Sequence, residues 1–509
     1  MPTLLGGIVA DAARRFGSRP AIVAPARWSL TYAELERAAW RAAAALWSRG
    51  VRPGSLVGLA LPSSPDYLAA YLGAATMGAA TVGVNPRLGP PARHAALTGL
   101  DLSLLVGTED LLDGLGDLDV ATVAVRCGAA PAGVLRGLGD ESVAFPDDLD
   151  ARWSSLGRSA ARSVAVVLTS GTTGTPKAAT FTEHQLEAIA AIDTGGRTDD
   201  GGPMLVSTEL VHVGVMTKLA WYLRTGATLH LLERWRAGAA LEVIERERIG
   251  VVGAISSQVA LLLREPDLAA RDLGCVRALV VGGGPSAPDL VSEARRRFGA
   301  PYSIRWSSTE SGGVGTATAF DAADEEALHT VGRPRAGVAV EVRAPDGRTV
   351  TAPGEPGELW LRSPAVMAGY WGDRAATAEV LVGGWLRTND LGLTDDRGCV
   401  RVLGRADDVI VRGGYNVHPE VVEAALRGHP SVADVAVVGM PDDVMGEVVV
   451  AAIVPRHPSA PPDAASVRAQ AARSLAHHEV PSRVVFVDAL PLTPMGKLDR
   501  RATRALVLG

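Results

Sequence analysis

Residues 163–179 read SVAVVLTSGTTGTPKAA, and the chain is organised around this stretch. Its first part, residues 164–168, is a short apolar run, rich in β-branched residues and without polar alternation. That pattern predicts a strand buried on both faces in a parallel sheet. A loop of Ser, Thr and Gly begins where the strand ends, and Pro176 and Lys177 close it.

The loop has the composition of an anion site. Gly171 and Gly174 permit backbone angles that other residues avoid, so successive N–H groups can point into one concavity. Further hydroxyl donors come from Ser170, Thr172, Thr173 and Thr175. Lys177 adds a full charge, and a phosphate would gain about 1.5 to 3 kcal/mol from each charge-assisted hydrogen bond. We therefore predict a phosphate site in this loop.

Two other interpretations of the loop are weaker. A polar surface turn explains the glycines and threonines, but it does not require a lysine directly after so dense a cluster of donors. A Walker P-loop needs Gly before Lys177 and Ser or Thr after it, whereas Pro176 and Ala178 occupy those positions. The sequence thus disfavours ordinary P-loop nucleoside triphosphatases.

Composition indicates a globular protein. The chain has 509 residues, of which 47% are hydrophobic, which is enough for several domain-sized units with large cores. Its 50 Lys and Arg residues against 56 Asp and Glu residues give a net charge of -6, so we expect no nucleic-acid partner. The densest basic run, residues 295–297, is typical of a solvated helix end.

Cysteines and apolar segments indicate the compartment. Cys127, Cys275 and Cys399 are far apart and form no CxxC pattern, so neither a disulfide framework nor a zinc site is expected. The N-terminus has no basic region before its short apolar stretch, which argues against a signal peptide. Residues 67–84 are uncharged but dominated by Ala and Gly, which predicts a packed internal helix and strand rather than a membrane span. A cytoplasmic location follows as our expectation.

Periodicity predicts the fold class. Residues 31–49 have apolar residues at helical spacing, with Thr31 as N-cap and Glu34 three residues later. Residues 56–61 predict a strand, and strands and helices alternate over most of residues 1–320. This alternation predicts doubly wound α/β layers.

Residue by residue, the sequence of residues 163–179 resembles the phosphate-binding motif of the adenylate-forming superfamily. This superfamily includes acyl-CoA synthetases, nonribosomal adenylation domains and luciferases. The resemblance implies a large N-terminal ATP- and acid-binding domain with subdomains, residues 1–405, and a small mobile α/β lid, residues 406–509. It also implies that the first motif holds the β- and γ-phosphates of ATP. The residues concerned are Thr169, Ser170, Gly171, Thr172, Thr173, Gly174 and Lys177.

A second block, WSSTE at residues 306–310, resembles the family's YGxTE motif. The resemblance implies that Trp306 stacks on adenine, that Thr309 binds a phosphate and that Glu310 holds Mg²⁺ between phosphates. Trp306 replaces Tyr and Ser307 replaces Gly. The added hydroxymethyl group of Ser307 should narrow the acid pocket or give it a polar contact.

The segment STELVHVGVM, residues 207–216, occupies the place of a family segment that usually reads PLFH. Its His212 would then line the acid pocket, with a purely structural histidine as the alternative. Glu209 and Val211 stand where relatives have a proline and an aromatic residue. An acidic residue near the pocket leaves open an α-amino group on the substrate.

A glycine-rich stretch, RALVVGGGPSAP at residues 277–288, allows a rival interpretation. Its spacing fits the loose GxGxxA pattern of a dinucleotide fold, so an NAD-dependent dehydrogenase is the alternative enzyme class. Pro285 and Pro288 argue against it because they sit where the phosphate-binding helix should begin and grow. The family resemblance instead implies that Gly282, Gly283 and Gly284 lie against adenine.

Three later positions complete the resemblance to a nucleotide site. GWLRTND, residues 384–390, is similar to GWxxTGD with Asn389 in place of Gly, which implies that Asp390 holds the ribose hydroxyls. Arg405 would reach ribose or phosphate. Asp407 matches the superfamily's hinge position.

Two further motifs belong to the lid. Gly413 and Gly414 match the glycines that flank the thiol tunnel in relatives. Lys497, within LPLTPMGKLDRR at residues 490–501, matches the lysine that relatives insert into the adenylation site. Taken alone, a C-terminal lysine would be a surface residue.

We therefore expect an AMP-forming acid–thiol ligase that uses ATP, Mg²⁺ and a thiol. A carboxylate would attack the α-phosphorus of ATP, and a thiol would then attack the acyl-adenylate and release AMP. Because no carrier domain is appended, coenzyme A is the expected thiol. The alternatives are a separate carrier protein, an unusual acid such as nitrite, and an inactive nucleotide-binding module. The small-molecule acid itself is not identified, and a homodimer remains open.

Overall fold

A computed structural model of the protein describes residues 5–139, 161–169, 176–194, 201–232, 234–350, 352–493 and 498–508. The described residues form five sheets with helices packed around them, which confirms the predicted α/β class. Among the described residues, no helix is both long enough and apolar enough to cross a bilayer.

The largest sheet contains the strand that leads into the phosphate loop. In spatial order its seven strands are Gly369–Tyr370, Ala178–Thr182, Ser163–Leu168, Ala80–Gly83, Leu56–Ala60, Leu104–Gly107 and Thr122–Ala124. Residues 164–167 are at most 1% exposed, as their apolar run predicts. The strand Ser163–Leu168 pairs parallel with Ala80–Gly83 but antiparallel with Ala178–Thr182. The prediction of a parallel sheet around it is therefore correct on one side only. The connection is short enough for the chain to return as a hairpin.

Two helices cover this sheet as their sequences predict. Tyr32–Ser48 begins with a capping box in which the Thr31 side chain accepts from Glu34 N and the Glu34 side chain accepts from Thr31 N. It packs on Pro65–Thr76, all but one of whose residues are buried. A Cβ at Gly73 would lie 2.7 Å from the Ala39 carbonyl oxygen, so the small residues of this segment serve close helix packing.

A second sheet supplies the other side of the candidate site. Its strands are Val251–Ile255, Ala278–Gly282, Tyr302–Trp306, Thr316–Ala317 and Arg333–Pro334. The first three run parallel, which brings Gly282 opposite Arg305 at their carboxyl ends. The helix Pro288–Phe298 follows the glycine-rich loop and starts at a proline, where a missing N–H costs nothing.

Two further sheets complete the large N-terminal part. One has the strands Ser29–Thr31, Pro20–Val23, Thr228–His230 and Pro203–Leu205. The other has Thr349–Val350, Ala339–Arg343, Gly357–Arg362, Trp385–Thr394, Leu381–Val382 and Val400–Arg405. Its hairpin places Asp390 directly opposite Arg405.

The fifth sheet belongs to the C-terminal part and has its own core. Its strands are Tyr415–Val417, Ile410–Arg412, Gly446–Pro455, Val432–Asp442 and Arg483–Phe486. The helices Pro419–Arg427, Ala464–Ala471 and Arg500–Leu508 accompany it. The turn Ala406–Asp408 connects it to the preceding hairpin. The boundary at residues 405 and 406 falls at this turn and stays a prediction.

The remaining helices connect the strands. They are Leu5–Phe16, Pro90–Leu97, Glu109–Leu112, Glu183–Thr194, Val213–Met216, Leu219–Thr225, Ala237–Arg246, Ser256–Leu263, Asp324–His329 and Arg374–Val380. Short 3₁₀ turns occur at Pro25–Arg27, Pro131–Gly133 and Leu268–Ala270. Arg296 is two thirds exposed at the end of its helix, as expected for the basic run of residues 295–297.

Candidate active site

The two ends of the phosphate loop are joined by backbone contacts. Thr169 N donates to Lys177 O at 2.8 Å, and Lys177 N donates to the Thr169 Oγ1 at 3.2 Å. The predicted phosphate ligands between them, Ser170, Gly171, Thr172, Thr173 and Gly174, lie outside the described residues. The side chain of Lys177 is directed at Tyr370, with its Nζ 5.2 Å from the ring centroid.

Tyr370 also contacts the predicted magnesium ligand. Its hydroxyl donates to Glu310 Oε1 at 3.0 Å, and Met367 N donates to the Glu310 carbonyl oxygen at 2.8 Å. Burial and the negative charge of Glu310 raise the pKa of Tyr370, so its hydroxyl stays protonated and remains a donor. One aromatic ring therefore links the predicted phosphate cation, Lys177, to the predicted metal carboxylate.

The predicted ribose ligand lies in a second group of contacts. Trp306 Nε1 donates to Asp390 Oδ2 at 2.7 Å, and Arg405 Nη1 lies 3.1 Å from Asp390 Oδ1. Arg405 Nε is buried and has no hydrogen-bond partner among the described residues. The arrangement orients the Asp390 carboxylate, and Arg405 keeps a donor for a ligand.

Trp306 has a different setting from the one its motif implies. The side chain is 9% exposed and packs in an apolar cluster with Val342, Leu359 and Leu361. Stacking on adenine stays a prediction, while the contact with Asp390 is a feature that the motif alone does not indicate. A tyrosine hydroxyl would extend from another point of the ring than the indole N–H.

The predicted adenine loop is tight at one end and open at the other. A Cβ at Gly282 would lie 3.2 Å from the Arg305 carbonyl oxygen, whereas a Cβ at Gly284 would meet nothing within 4 Å. Gly283 has φ of +79°, a backbone conformation that residues with a side chain rarely adopt. The loop thus offers exposed backbone at Gly284, as the approach of a flat ring requires.

His212 and its neighbours border the predicted acid pocket. His212 Nε2 lies 3.5 Å from Asn85 Nδ2, so Asn85, the first residue of NPRL at residues 85–88, is a partner that the motif around His212 does not indicate. Glu209 is paired with Arg87 at 2.7 Å and accepts from the Ser63 hydroxyl at 2.5 Å. Its carboxylate is therefore already occupied by groups of the protein.

The predicted hinge is held from both sides. Asn389 has φ of +61°, the left-handed region that Gly and Asn adopt at least cost, and its Nδ2 donates to Asp407 Oδ2 at 2.5 Å. On the lid side, Arg500 Nε lies 3.3 Å from Asp408 Oδ2. Asn389, which stands where the family motif has glycine, thus has a backbone conformation that glycine also adopts readily, and it adds a contact with the predicted hinge residue.

Of the two lid motifs, the structure describes the glycine pair. Gly413 and Gly414 form an exposed turn with φ of +56° and +85°. Lys497 lies outside the described residues, but a bridge between Leu492 and Leu498 joins the ends of its segment. For Thr309, the structure shows the backbone contact in which its carbonyl oxygen accepts from Gly312 N at 2.9 Å.

Residues 9–371 match the AMP-binding enzyme family, and residues 421–497 match the AMP-binding enzyme C-terminal domain. The chain belongs to the AMP-binding enzyme family. This membership replaces the dinucleotide fold as the explanation of the glycine-rich stretch at residues 277–288.

This AMP-binding enzyme is similar to proteins with different acceptors. It is 34% identical to a feruloyl-CoA synthase of an Amycolatopsis species, over 94% of each chain. It is 31% identical to the fatty acid–[acyl-carrier-protein] ligase ScoC of Streptomyces coeruleorubidus, over 95% of this chain and 93% of that one. The structure of the amide bond synthetase McbA from Marinactinospora thermotolerans matches with a TM-score of 0.83 and 31% identity, covering 99% of both chains.

In this AMP-binding enzyme, sequence reasoning missed Tyr370. The run GYW at residues 369–371 follows an alternating strand, and an aromatic residue between two glycine-rich motifs is the only signal that it offers. The contacts of Tyr370 with Lys177 and Glu310 depend on pairing between Gly369–Tyr370 and Ala178–Thr182, which are distant in sequence.

We predict that Tyr370→Phe raises the Mg²⁺ concentration needed for half-maximal adenylation about tenfold. The ring keeps its contact with Lys177, while Glu310 loses a hydrogen bond to a charged group, worth about 1.5 to 3 kcal/mol. Glu310→Gln should have the larger effect because it removes the charge itself. Magnesium titrations of ATP–pyrophosphate exchange measure both, and overlapping curves for wild type and Glu310→Gln would remove Glu310 as a metal ligand.

We predict that Trp306→Phe raises the KM for ATP about tenfold with little change in kcat. The aromatic ring remains, but Asp390 loses the N–H that orients it, a bond to a charged acceptor worth about 1.5 kcal/mol. Trp360→Phe is the matched control, because Trp360 Nε1 is buried without a hydrogen-bond partner among the described residues. An equal rise in KM for both variants would show that Trp306 acts through packing alone.

Proposed function

We propose that this AMP-binding enzyme is an acid–thiol ligase that forms an acyl-adenylate from ATP and a carboxylic acid and then transfers the acyl group to coenzyme A. The contact of Tyr370 with both Lys177 and Glu310 carries the proposal. It supports the proposal because the predicted phosphate-binding cation and the predicted metal-binding carboxylate contact the same tyrosine, as an ATP site with Mg²⁺ would require.

In the first half-reaction the protein's task is positioning. Lys177 and the loop that it closes would hold the β- and γ-phosphates, with Thr309 as a further phosphate ligand. Asp390 would accept from the ribose hydroxyls, oriented by Trp306 and Arg405. Placing the acid in line with the α-phosphorus converts a bimolecular reaction into one between held groups.

A metal ion fits the carboxylate at the centre of this arrangement. Glu310 would bind Mg²⁺ together with phosphate oxygens, since Mg²⁺ is usually held by one or two carboxylates and substrate phosphates. When bound, Mg²⁺ supplies positive charge that neutralises the phosphates of ATP. Tyr370 would keep the Glu310 side chain turned toward that position through its hydroxyl.

The second half-reaction needs the same space for a thiol. Thiol attack would follow a turn of the lid, residues 406–509, about Asp407, which withdraws Lys497 and brings Gly413 and Gly414 to the acyl-adenylate. Glycines have no side chain to obstruct a slender pantetheine arm. The lid's own sheet and core suit it to move as one unit.

The acceptor of the acyl group distinguishes the competing versions of the proposal. ScoC is named for transfer to an acyl carrier protein and McbA for amide formation, so a carrier thiol and an amine are the competing acceptors. Coenzyme A is favoured by the feruloyl-CoA synthase, the relative with the highest identity among these three. An α-amino acid substrate is disfavoured because Glu209 is already paired with Arg87 and Ser63.

ATP–pyrophosphate exchange with a panel of carboxylic acids tests the proposal. We expect exchange that depends on an acid and on Mg²⁺, followed by acyl-CoA formation seen by mass spectrometry when coenzyme A is added. Parallel reactions with a phosphopantetheinylated carrier protein and with amines identify the acceptor. Absence of exchange with every acid, nitrite included, together with tight ATP binding, would instead support an inactive nucleotide-binding module.

A further inference from the structure

A group of charged side chains packs behind the loop that carries Thr309 and Glu310. Lys218 Nζ lies 2.6 Å from Asp193 Oδ2, and Arg335 Nη1 pairs with Asp193 Oδ1. Arg335 Nη2 also donates to Ile192 O at 2.8 Å. Arg305, on the neighbouring strand, completes what we call the Arg305 cluster: Arg305, Lys218, Arg335 and Asp193.

The Arg305 cluster has more positive than negative charge. Burial raises the pKa of Asp193, but Lys218 and Arg335 outweigh it and lower that pKa, so the carboxylate is ionised. Burial and the charge of Arg335 lower the pKa of Arg305 to about 10, which leaves it charged at neutral pH. Among the described residues, the cluster thus sets three cations against one carboxylate.

Arg305 is the cation without a partner. Its side chain is partly buried and forms no hydrogen bond or ion pair with any residue in the described part of the chain. Arg335 and Lys218, by contrast, both use Asp193, and their side chains are 16% and 21% exposed. A buried charge without a partner is costly, and proteins neutralise it or use it.

The cluster borders the region assigned to the acid. A Cβ at Gly313 would lie 3.7 Å from the Val213 methyl groups and 3.9 Å from Lys218 Cε, and Val213 directly follows His212. Arg335 N donates to Gly315 O at 3.2 Å. On the other side, a Cβ at Gly282 would lie 3.4 Å from Arg305 Cβ, so the Arg305 side chain leaves its strand beside the predicted adenine loop.

We propose that the acid substrate carries a second anionic group and that Arg305 binds it. The inference rests on the proposed adenylation of a carboxylic acid: one carboxylate is activated, and the other neutralises the excess charge of the cluster. Arg305 is then the specificity-determining residue, with Lys218 and Arg335 held in place by Asp193. A planar guanidinium suits a carboxylate because it can donate two parallel hydrogen bonds.

A structural tether is the competing explanation of the cluster. Asp193 lies in the last turn of the helix Glu183–Thr194, and its bonds with Lys218 and Arg335 tie that helix to the neighbouring segments. A tether accounts for Asp193 and its two partners. It does not account for Arg305, which is attracted by Asp193 and repelled by Arg335 but forms no hydrogen bond or ion pair with either of them.

Matched substrates test the proposal. Succinate, glutarate, adipate and terephthalate are each compared with their monomethyl esters, which keep one carboxylate for activation and replace the other by a neutral group. In ATP–pyrophosphate exchange we expect at least one diacid to exceed its ester in kcat/KM tenfold or more. Arg305→Met should lower kcat/KM for that diacid at least tenfold and leave the ester unchanged, while Arg305→Lys should retain part of the preference.

Thermal unfolding gives a second readout that needs no turnover. Arg305→Met should raise the Tm of the ligand-free protein by about 1 to 3 °C, because it removes an uncompensated charge. The preferred diacid should raise the Tm of the wild type and not that of the variant. Arg295→Met, which removes an exposed arginine paired with Asp324, is the control for loss of one positive charge.

The outcomes separate this inference from the proposed function. If acids are activated but no diacid exceeds its ester, or Arg305→Met leaves the preference intact, Arg305 has no such role and the ligase remains. If no acid supports exchange, the ligase proposal fails, and the Tm measurements alone decide whether Arg305 binds an anionic group. A diacid-induced rise of Tm that is absent in Arg305→Met then supports the anion site, and no rise in the wild type overturns it.

Discussion

Lys497→Ala should lose ATP–pyrophosphate exchange by about a hundredfold or more and still convert supplied acyl-adenylate and coenzyme A to thioester. Adenylation spreads negative charge over the attacking and departing oxygens, and one preorganised cation there contributes on this scale. Thiol attack on a formed adenylate has no such demand. The two half-reactions should therefore separate in this variant.

The surroundings of the Lys497 segment support its role as a positioned group. Asp499 N donates to Pro491 O at 2.9 Å, which closes the base of the segment. Arg500 then pairs with Glu420 at 2.7 Å and Glu423 at 2.5 Å, and Glu423 is almost fully buried. The residues that flank the Lys497 segment are therefore anchored to the lid by these contacts.

Two assays check the Lys497 prediction. Pyrophosphate exchange reports the first half-reaction, and thioester formation from preformed adenylate reports the second. Arg501→Ala is the control, because Arg501 is an exposed cation near the same segment. Equal losses in both assays for Lys497→Ala would contradict an alternating lid in this protein.

Lys177→Ala should lower kcat/KM for ATP between tenfold and a hundredfold. The variant loses a charge-assisted contact with phosphate worth about 1.5 to 3 kcal/mol. The cation lies over Tyr370, so the ring holds it beside Glu310 before ATP arrives. Lys177→Arg, which keeps the charge in a bulkier group, should lose less.

The test for Lys177 must exclude general damage to the fold. Far-ultraviolet circular dichroism should match the wild type and the Tm should fall only slightly, because the substitution removes one half-buried side chain and its contact with the Tyr370 ring. An unchanged kcat/KM for ATP in a folded Lys177→Ala protein would remove the phosphate loop from the site. A rise in the KM for the acid alone would show that Lys177 binds the acid and not ATP.

Local patterns were sufficient to predict most of the fold. The apolar run of residues 164–168 and the capping box at Thr31 predicted their elements because burial and hydrogen bonding there depend on near neighbours. The antiparallel return of Ala178–Thr182 was missed, because strand direction depends on how far the connecting chain must travel. The contact of Trp306 with Asp390 joins residues from two different sheets, and no local pattern encodes it.

Candidate residues of the site were predictable where one motif contains the whole chemical pattern. Asp390 and Arg405 were singled out by their motifs, and the hairpin places them opposite each other. Tyr370 and Arg305 were not singled out, because an isolated tyrosine or arginine has many surface explanations. Their significance comes from burial and from charges on neighbouring elements, which appear only after folding.

The left-handed backbone of Asn389 makes this position a means of tuning the enzyme. Gly, Asn and Asp adopt such a backbone at least cost, and they would respectively ignore, attract and repel Asp407. With the proposed hinge at Asp407, a bond worth about 1 kcal/mol changes the ratio of two lid orientations about fivefold. Substitutions at this one position would therefore change the fraction of time that the proposed lid spends in each orientation.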